Sequence, residues 1–164
     1  VASEVWELLG KSDVELISYE QFETFLIDDT PVYAVPDLLF KKTSGEWVIV
    51  DWKTGEEAEV NRDQLALYAL FVNKRYRVDV EQITARLEYL SSEEITEMHF
   101  TSQDLQAVEA TAKQSMTNMR ELLLDPVQNI PKEKAEFALT TNRERCPWCN
   151  FYELCRQELE QSVS

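Results

Sequence analysis

A chain of 164 residues with 44% hydrophobic side chains is long enough to bury one core and too short for two comfortable domains. The longest apolar run, residues 65–72, falls well short of the roughly 18 residues a membrane span needs, and no signal segment opens the chain, so a soluble, cytoplasmic protein is expected. Sixteen basic residues against thirty-one acidic ones leave a formal charge of −15, a field that repels nucleic acid and gives no nonspecific affinity for it.

The opening Val1 in place of Met fits an excised domain or a processed end, and residues 3–9 read as a short helix or the tail of a longer one. Residues 15–27 and 32–40 are rich in aromatic and β-branched side chains around the turn composition Asp28-Asp29-Thr30-Pro31, which predicts an antiparallel hairpin. Thr43-Ser44-Gly45 then turns the chain into residues 46–53, a strand apolar on both faces and therefore central. Thr54-Gly55 ends it, an acidic loop follows, and residues 62–74 show helical spacing with Leu67, Leu70 and Phe71 on one face.

Residues 82–90 and 95–100 predict a second hairpin around Ser91-Ser92. Ser102-Gln103-Asp104 caps a helix running to about residue 124, where Asp125-Pro126 stops it. An extended stretch, residues 131–144, leads to Cys146, Cys149 and Cys155, an odd count that argues for metal ligation or catalysis over a closed disulfide framework. The element order implies an α/β fold with a mixed sheet flanked by helices.

Chemistry concentrates at the end of the central strand. Side chains alternate along a strand, so Asp51 and Lys53 share one side with Ile49, while Val48, Val50 and Trp52 share the other. Asp37 closes a neighbouring apolar stretch, and two carboxylates beside a lysine suit a hard divalent cation and a phosphate oxygen. The plainer reading is an exposed ion pair worth little, but an apolar strand places its end near the core, where an idle charged pair is costly. Gln64 and Tyr68, at i and i+4, share one helix face, which by itself fits a polar edge with a packed tyrosine. His99, the single histidine, reads as structural or surface. The basic clusters Lys41-Lys42, Lys74-Arg75-Arg77 and Arg143-Arg145 are local exceptions to the acidic balance, or ordinary solvated positions.

Val35-Pro36-Asp37, then Val50-Asp51-Trp52-Lys53-Thr54-Gly55, then Gln64 through Tyr68 together resemble the core of the PD-(D/E)xK nuclease superfamily. The match is closest to its RecB-type branch, which includes the AddB nuclease domains and the nucleases of CRISPR spacer acquisition. The resemblance implies a restriction-endonuclease-like core at residues 1–145, with a cysteine segment at 146–164 packing on it. It further implies Asp37, Asp51 and the Trp52 backbone carbonyl as ligands of Mg²⁺ or Mn²⁺. Lys53 would be the catalytic lysine, with Gln64 and Tyr68 reaching toward the site or the DNA backbone.

An upstream helix in that branch carries a histidine or glutamate that completes the metal site, for which Glu4 or Glu7 are the candidates here. Cys146, Cys149 and Cys155 resemble the segment that, with a fourth upstream cysteine, holds a 4Fe-4S cluster, and zinc is the alternative metal. This chain has no fourth cysteine, so a preceding piece supplies it, another ligand serves, or no cluster binds. The activity implied is a DNA nuclease, an exonuclease acting at ends or on single strands, with a helicase or recombination partner on the same or another chain. The competing readings are an inactive nuclease fold that binds DNA or protein, and a small iron-sulfur or zinc protein without hydrolytic role.

Overall fold

A hydrophobic run that doubles back on itself needs a tight turn, and Gly45 supplies it. β4 (Leu38–Lys42) and β5 (Trp47–Lys53) pair antiparallel through Leu38↔Val50 and Phe40↔Val48. Between them Gly45 takes φ +93°, a region that costs other residues strain, and its N–H bonds the Lys42 carbonyl at 2.9 Å. The computed structural model describes residues 13–54 and 60–161. Glu4, Glu7, the helix expected at residues 3–9 and Gly55 lie outside the described residues.

β1 (Val14–Tyr19) pairs antiparallel with β4, its register shifted by a bulge between Leu16 and Ser18. From β5 the chain passes through helix α1 (Val60–Tyr76) to β6 (Ile83–Tyr89), which lies parallel to β5 with Asp51↔Leu87 and Lys53↔Tyr89. A parallel neighbour requires such a crossover, whereas β7 (Glu94–His99) returns antiparallel through a short turn with Glu93 at φ 61°. The strand order is β1-β4-β5-β6-β7, a mixed five-stranded sheet with β5 at its centre.

Two expected strands are each broken in two. Residues 15–27 divide at Glu20, whose φ of 45° turns the chain out of the β1 ladder, and β2 (Glu23–Ile27) then pairs only with β3 (Thr30–Ala34). Residues 32–40 divide at Pro36, which has no N–H to give a ladder. The hairpin therefore joins β2 to β3, while β1 and β4 enter the main sheet.

Apolar side chains pack on both faces of the sheet centre. Leu38, Phe40, Val48 and Val50 cluster on one face with Val14 and Trp52 at the margin. Ile49, Ala85 and Leu87 lie on the opposite face, the one that α1 covers, and Leu65, Ala69, Leu70 and Phe71 of that helix are all buried. Each fully buried Leu, Ile or Phe of this kind contributes on the order of 1.5–3 kcal/mol. The β2–β3 hairpin packs on the same helix, with the Phe25 and Phe71 ring centroids 5.8 Å apart.

Helix α2 (Ser102–Glu121) is capped one residue earlier than expected. The Thr101 hydroxyl accepts the Asp104 N–H at 3.2 Å, and the Asp104 carboxylate accepts the Thr101 N–H at 2.8 Å. It stops short of residue 124 because β8 (Leu123–Asp125) pairs with β9 (Ile130–Pro131).

The chain divides into two compact units, Val1–Ser115 and Met116–Ser164. The first holds the five-stranded sheet and all the buried side chains among the described residues. The second holds β8, β9, short 3₁₀ turns and helix α3 (Tyr152–Gln161), and none of its described residues is buried. Among the described residues no helix is long and apolar enough to cross a membrane.

Candidate active site

β4 and β5 bring the two aspartates together by register. One step beyond the Leu38↔Val50 pair, Asp37 falls opposite Asp51, and directly opposed residues project to the same face. Asp37 Oδ2 accepts the Trp52 backbone N–H at 2.7 Å, which fixes that carboxylate to the strand carrying the other one. In an extended strand a residue's N–H and C=O point toward the same edge, so the Trp52 carbonyl also points toward the Asp37 side.

Asp51 is 3% exposed and meets the Lys53 ammonium at 2.6 Å through Oδ2. That oxygen receives no hydrogen bond of regular geometry, so charge attraction is its compensation for burial. Burial raises the Asp51 pKa from its ordinary value; Lys53 opposes the shift and Asp37 adds to it.

Helix α1 closes the site with two residues one turn apart. Gln64 accepts from Lys53 Nζ at 2.8 Å and donates to Asp51 Oδ1 at 3.4 Å and to the Tyr68 hydroxyl at 3.1 Å. Tyr68 in turn donates to the Val35 carbonyl at 3.0 Å. Its phenol pKa is raised, first by burial and then by Asp51 and Asp37, while Gln64 opposes the shift. The chain Val35–Tyr68–Gln64–Lys53–Asp51 is thus one connected network, with Asp37 joined to it through Trp52.

Two members of this network escape a reading of side-chain types because they are backbone groups: the Val35 carbonyl and the Trp52 N–H. Pro36 is a sequence signal for the first of them, since the residue before a proline is held extended. On the opposite face of β5, the Trp52 indole donates to Glu88 Oε2 at 3.0 Å, and Arg86 pairs with Glu88 at 2.7 Å. His99 lies apart from this network, on edge strand β7 opposite Thr84.

The donor set at Asp37 and Asp51 fits a hard divalent ion. A buried carboxylate oxygen without a hydrogen bond, a second carboxylate across the ladder and their mutual repulsion all favour a cation there, and the ligands are oxygens. No group of three His, Cys, Asp or Glu side chains that could hold a metal converges among the described residues. In the C-terminal unit Cys146, Cys149 and Cys155 line one cavity of about 370 Å³ without forming such a cage, so as placed they do not fit a cluster. The Cys149 N–H bonds the Cys146 carbonyl at 3.0 Å and Cys149 Sγ accepts the Phe151 N–H at 3.4 Å.

The sequence model of the family described as the PD-(D/E)XK nuclease superfamily matches residues 2–156. No curated protein matches the chain.

Proposed function

The chain belongs to the PD-(D/E)XK nuclease superfamily, and from that premise we propose that it hydrolyses DNA phosphodiester bonds with Mg²⁺ or Mn²⁺. The observation that carries this reading is the single network joining Asp51, Lys53, Gln64 and Tyr68, with Asp37 latched to it through Trp52. Asp37, Asp51 and the Trp52 carbonyl would hold the ion. When bound, such an ion supplies Lewis-acid polarisation and charge neutralisation at the phosphate.

The protein's own groups do the rest. As an ammonium Lys53 has three N–H donors, of which Asp51 and Gln64 take two. The third is available to orient the attacking water or to stabilise charge developing on the phosphate oxygens. Gln64 fixes the lysine and the carboxylate relative to each other, and Tyr68 holds Gln64 by spanning to Val35. Both are positioning residues.

The finer reading is an exonuclease of the RecB-type branch acting in repair or recombination beside a helicase. A 4Fe-4S cluster on Cys146, Cys149 and Cys155 belongs to that reading. A unit that buries none of its described residues needs a staple of some kind, and a metal is one way to supply it. A cluster would require the three thiols to draw together and a further ligand, so no part of the mechanism depends on it.

The test is cleavage of end-labelled single-stranded and duplex DNA by the purified chain, with Mg²⁺, with Mn²⁺ and in EDTA. Metal-dependent cleavage is expected; a chain that binds Mg²⁺ and DNA yet cuts neither substrate would favour the inactive nuclease fold instead.

A further inference from the structure

Phe22, just before β2, carries a phenyl ring 81% exposed, and Tyr33, 70% exposed, stands on the outer face of the β2–β3 hairpin. Alternation explains both. Phe25, Ile27 and Ala34 are buried on the inner face, which turns Thr24, Leu26 and Tyr33 outward. Phe22 lies one step beyond the Glu23↔Ala34 pair, next to Val35. The Glu20 N–H bonds the Asp37 carbonyl at 3.1 Å. The short chain from Glu20 to Phe22 therefore keeps the Phe22 backbone on the order of 10 Å from Asp37.

A groove of about 530 Å³ runs along the unpaired edge of β2, with Phe22 and Leu26 on one wall and Lys74, Arg75 and Arg77 on the other. Arg75 lies 3.6 Å from Glu23, the carboxylate that lines the groove, and so offsets it. Lys74 is paired with Glu109 at 3.0 Å. Arg77 makes no side-chain ion pair or hydrogen bond among the described residues, which leaves an unpaired guanidinium lining the same groove as an exposed ring in a chain of net charge −15. An apolar partner seated here would bury that charge unpaired, at high cost.

We propose that this groove takes a single strand of DNA extending from the candidate site, with an unpaired base stacked on Phe22 and its phosphates on Arg77. The proposal rests on the nuclease reading and extends it to the class of substrate. A duplex hides the faces of its bases within its own stack, whereas an unpaired base offers one to an aromatic ring whatever its sequence. Arg77, unpaired among the described residues, supplies one local point of the attraction that the overall charge denies.

The experiment is fluorescence anisotropy with a labelled oligothymidylate and a duplex of equal length, in Ca²⁺, for the whole chain and its Phe22→Ala, Phe22→Trp and Arg77→Gln variants. Phe22→Ala is expected to weaken single-strand binding roughly 5- to 150-fold, with Phe22→Trp retaining it. Arg77→Gln should reduce the slope of log affinity against log salt by about 0.7. Unchanged single-strand affinity in Phe22→Ala overturns the proposal, as does a wild type that binds no single strand. A wild-type dimer that Phe22→Ala dissociates also overturns it, giving the groove to a second copy. Cleavage by the wild type scores the nuclease reading separately. Cleavage with Phe22-independent binding removes the groove alone, and Phe22-dependent binding without cleavage removes the nuclease and keeps the groove.

Discussion

Asp37 Oδ2 holds the backbone N–H of Trp52 at 2.7 Å, so a carboxylate from one strand is fixed to the neighbouring strand at the residue between Asp51 and Lys53. A side chain that bonds backbone cannot swing away, and Asp37 is thereby pre-set to face Asp51 before any cation arrives. The same bond makes Asp37 a structural residue as well as a candidate ligand, and the two roles separate experimentally.

Asp37→Ala leaves the Trp52 N–H without its acceptor and is expected to cost about 1–2 kcal/mol in urea unfolding. Asp37→Asn keeps an oxygen for that bond and should unfold close to the wild type. Both variants are expected to lose metal-dependent cleavage and the thermal stabilisation by Mg²⁺, because both remove the charge. An Asn variant as unstable as the Ala variant would separate the N–H bond from the stability effect.

Lys53→Ala removes the one cation paired with the buried carboxylate among the described residues, and the donor left for the phosphate. Single-turnover cleavage is expected to fall at least ~10²-fold, the scale on which one preorganised donor is lost. Retained cleavage in a folded variant would remove Lys53 from the mechanism.

In metal-free protein the raised pKa of Asp51, caused chiefly by burial, gives a pH dependence of definite sign. A carboxyl with a higher pKa folded than unfolded binds its proton more tightly in the folded state. Its ionisation therefore destabilises the fold as pH rises above the unfolded value of about 3.9, with the full penalty present above the folded pKa. Asp51→Asn escapes that penalty, so in EDTA it should be more stable than the wild type at neutral pH. The advantage should shrink as pH falls toward the unfolded value. Urea titrations across that range decide it, and a pH-independent difference between the two proteins rejects Asp51 as the source.

Tyr68→Phe deletes the hydroxyl that joins Gln64 to the Val35 carbonyl. Stability should drop by about 1 kcal/mol, and kcat should fall with little change in KM, since Tyr68 acts through Gln64. Gln64→Ala should lower kcat further. In a double-mutant cycle the two losses should combine to less than their sum, because the first mutation already breaks the shared bond. Strict additivity would mean that Gln64 and Tyr68 act independently.

The cysteine segment is tested by iron content and absorption after purification without oxygen. If a cluster is held, Cys149→Ser should remove the colour and lower the protease resistance of residues 116–161, with the unfolding of the sheet-bearing unit unchanged. Colourless, iron-free and zinc-free protein would leave the three thiols without a metal role.

The sequence by itself determined the central strand, its crossover helix and the face shared by Asp51 and Lys53, because alternation and helical spacing are local properties. It also marked Gln64 and Tyr68 as neighbours on one helix face, though not what they hold. Pairing over long separations was decided only by the tertiary structure. Glu20 and Pro36 divided two predicted strands, which moved β1 and β4 into the main sheet and left β2 and β3 as a hairpin apart. That rearrangement sets Asp37 opposite Asp51, binds it to a backbone N–H and leaves Phe22 exposed at the start of the hairpin. Composition cannot foretell these outcomes, because a backbone donor has the same identity in every residue and finds its partner only when the strands are in register.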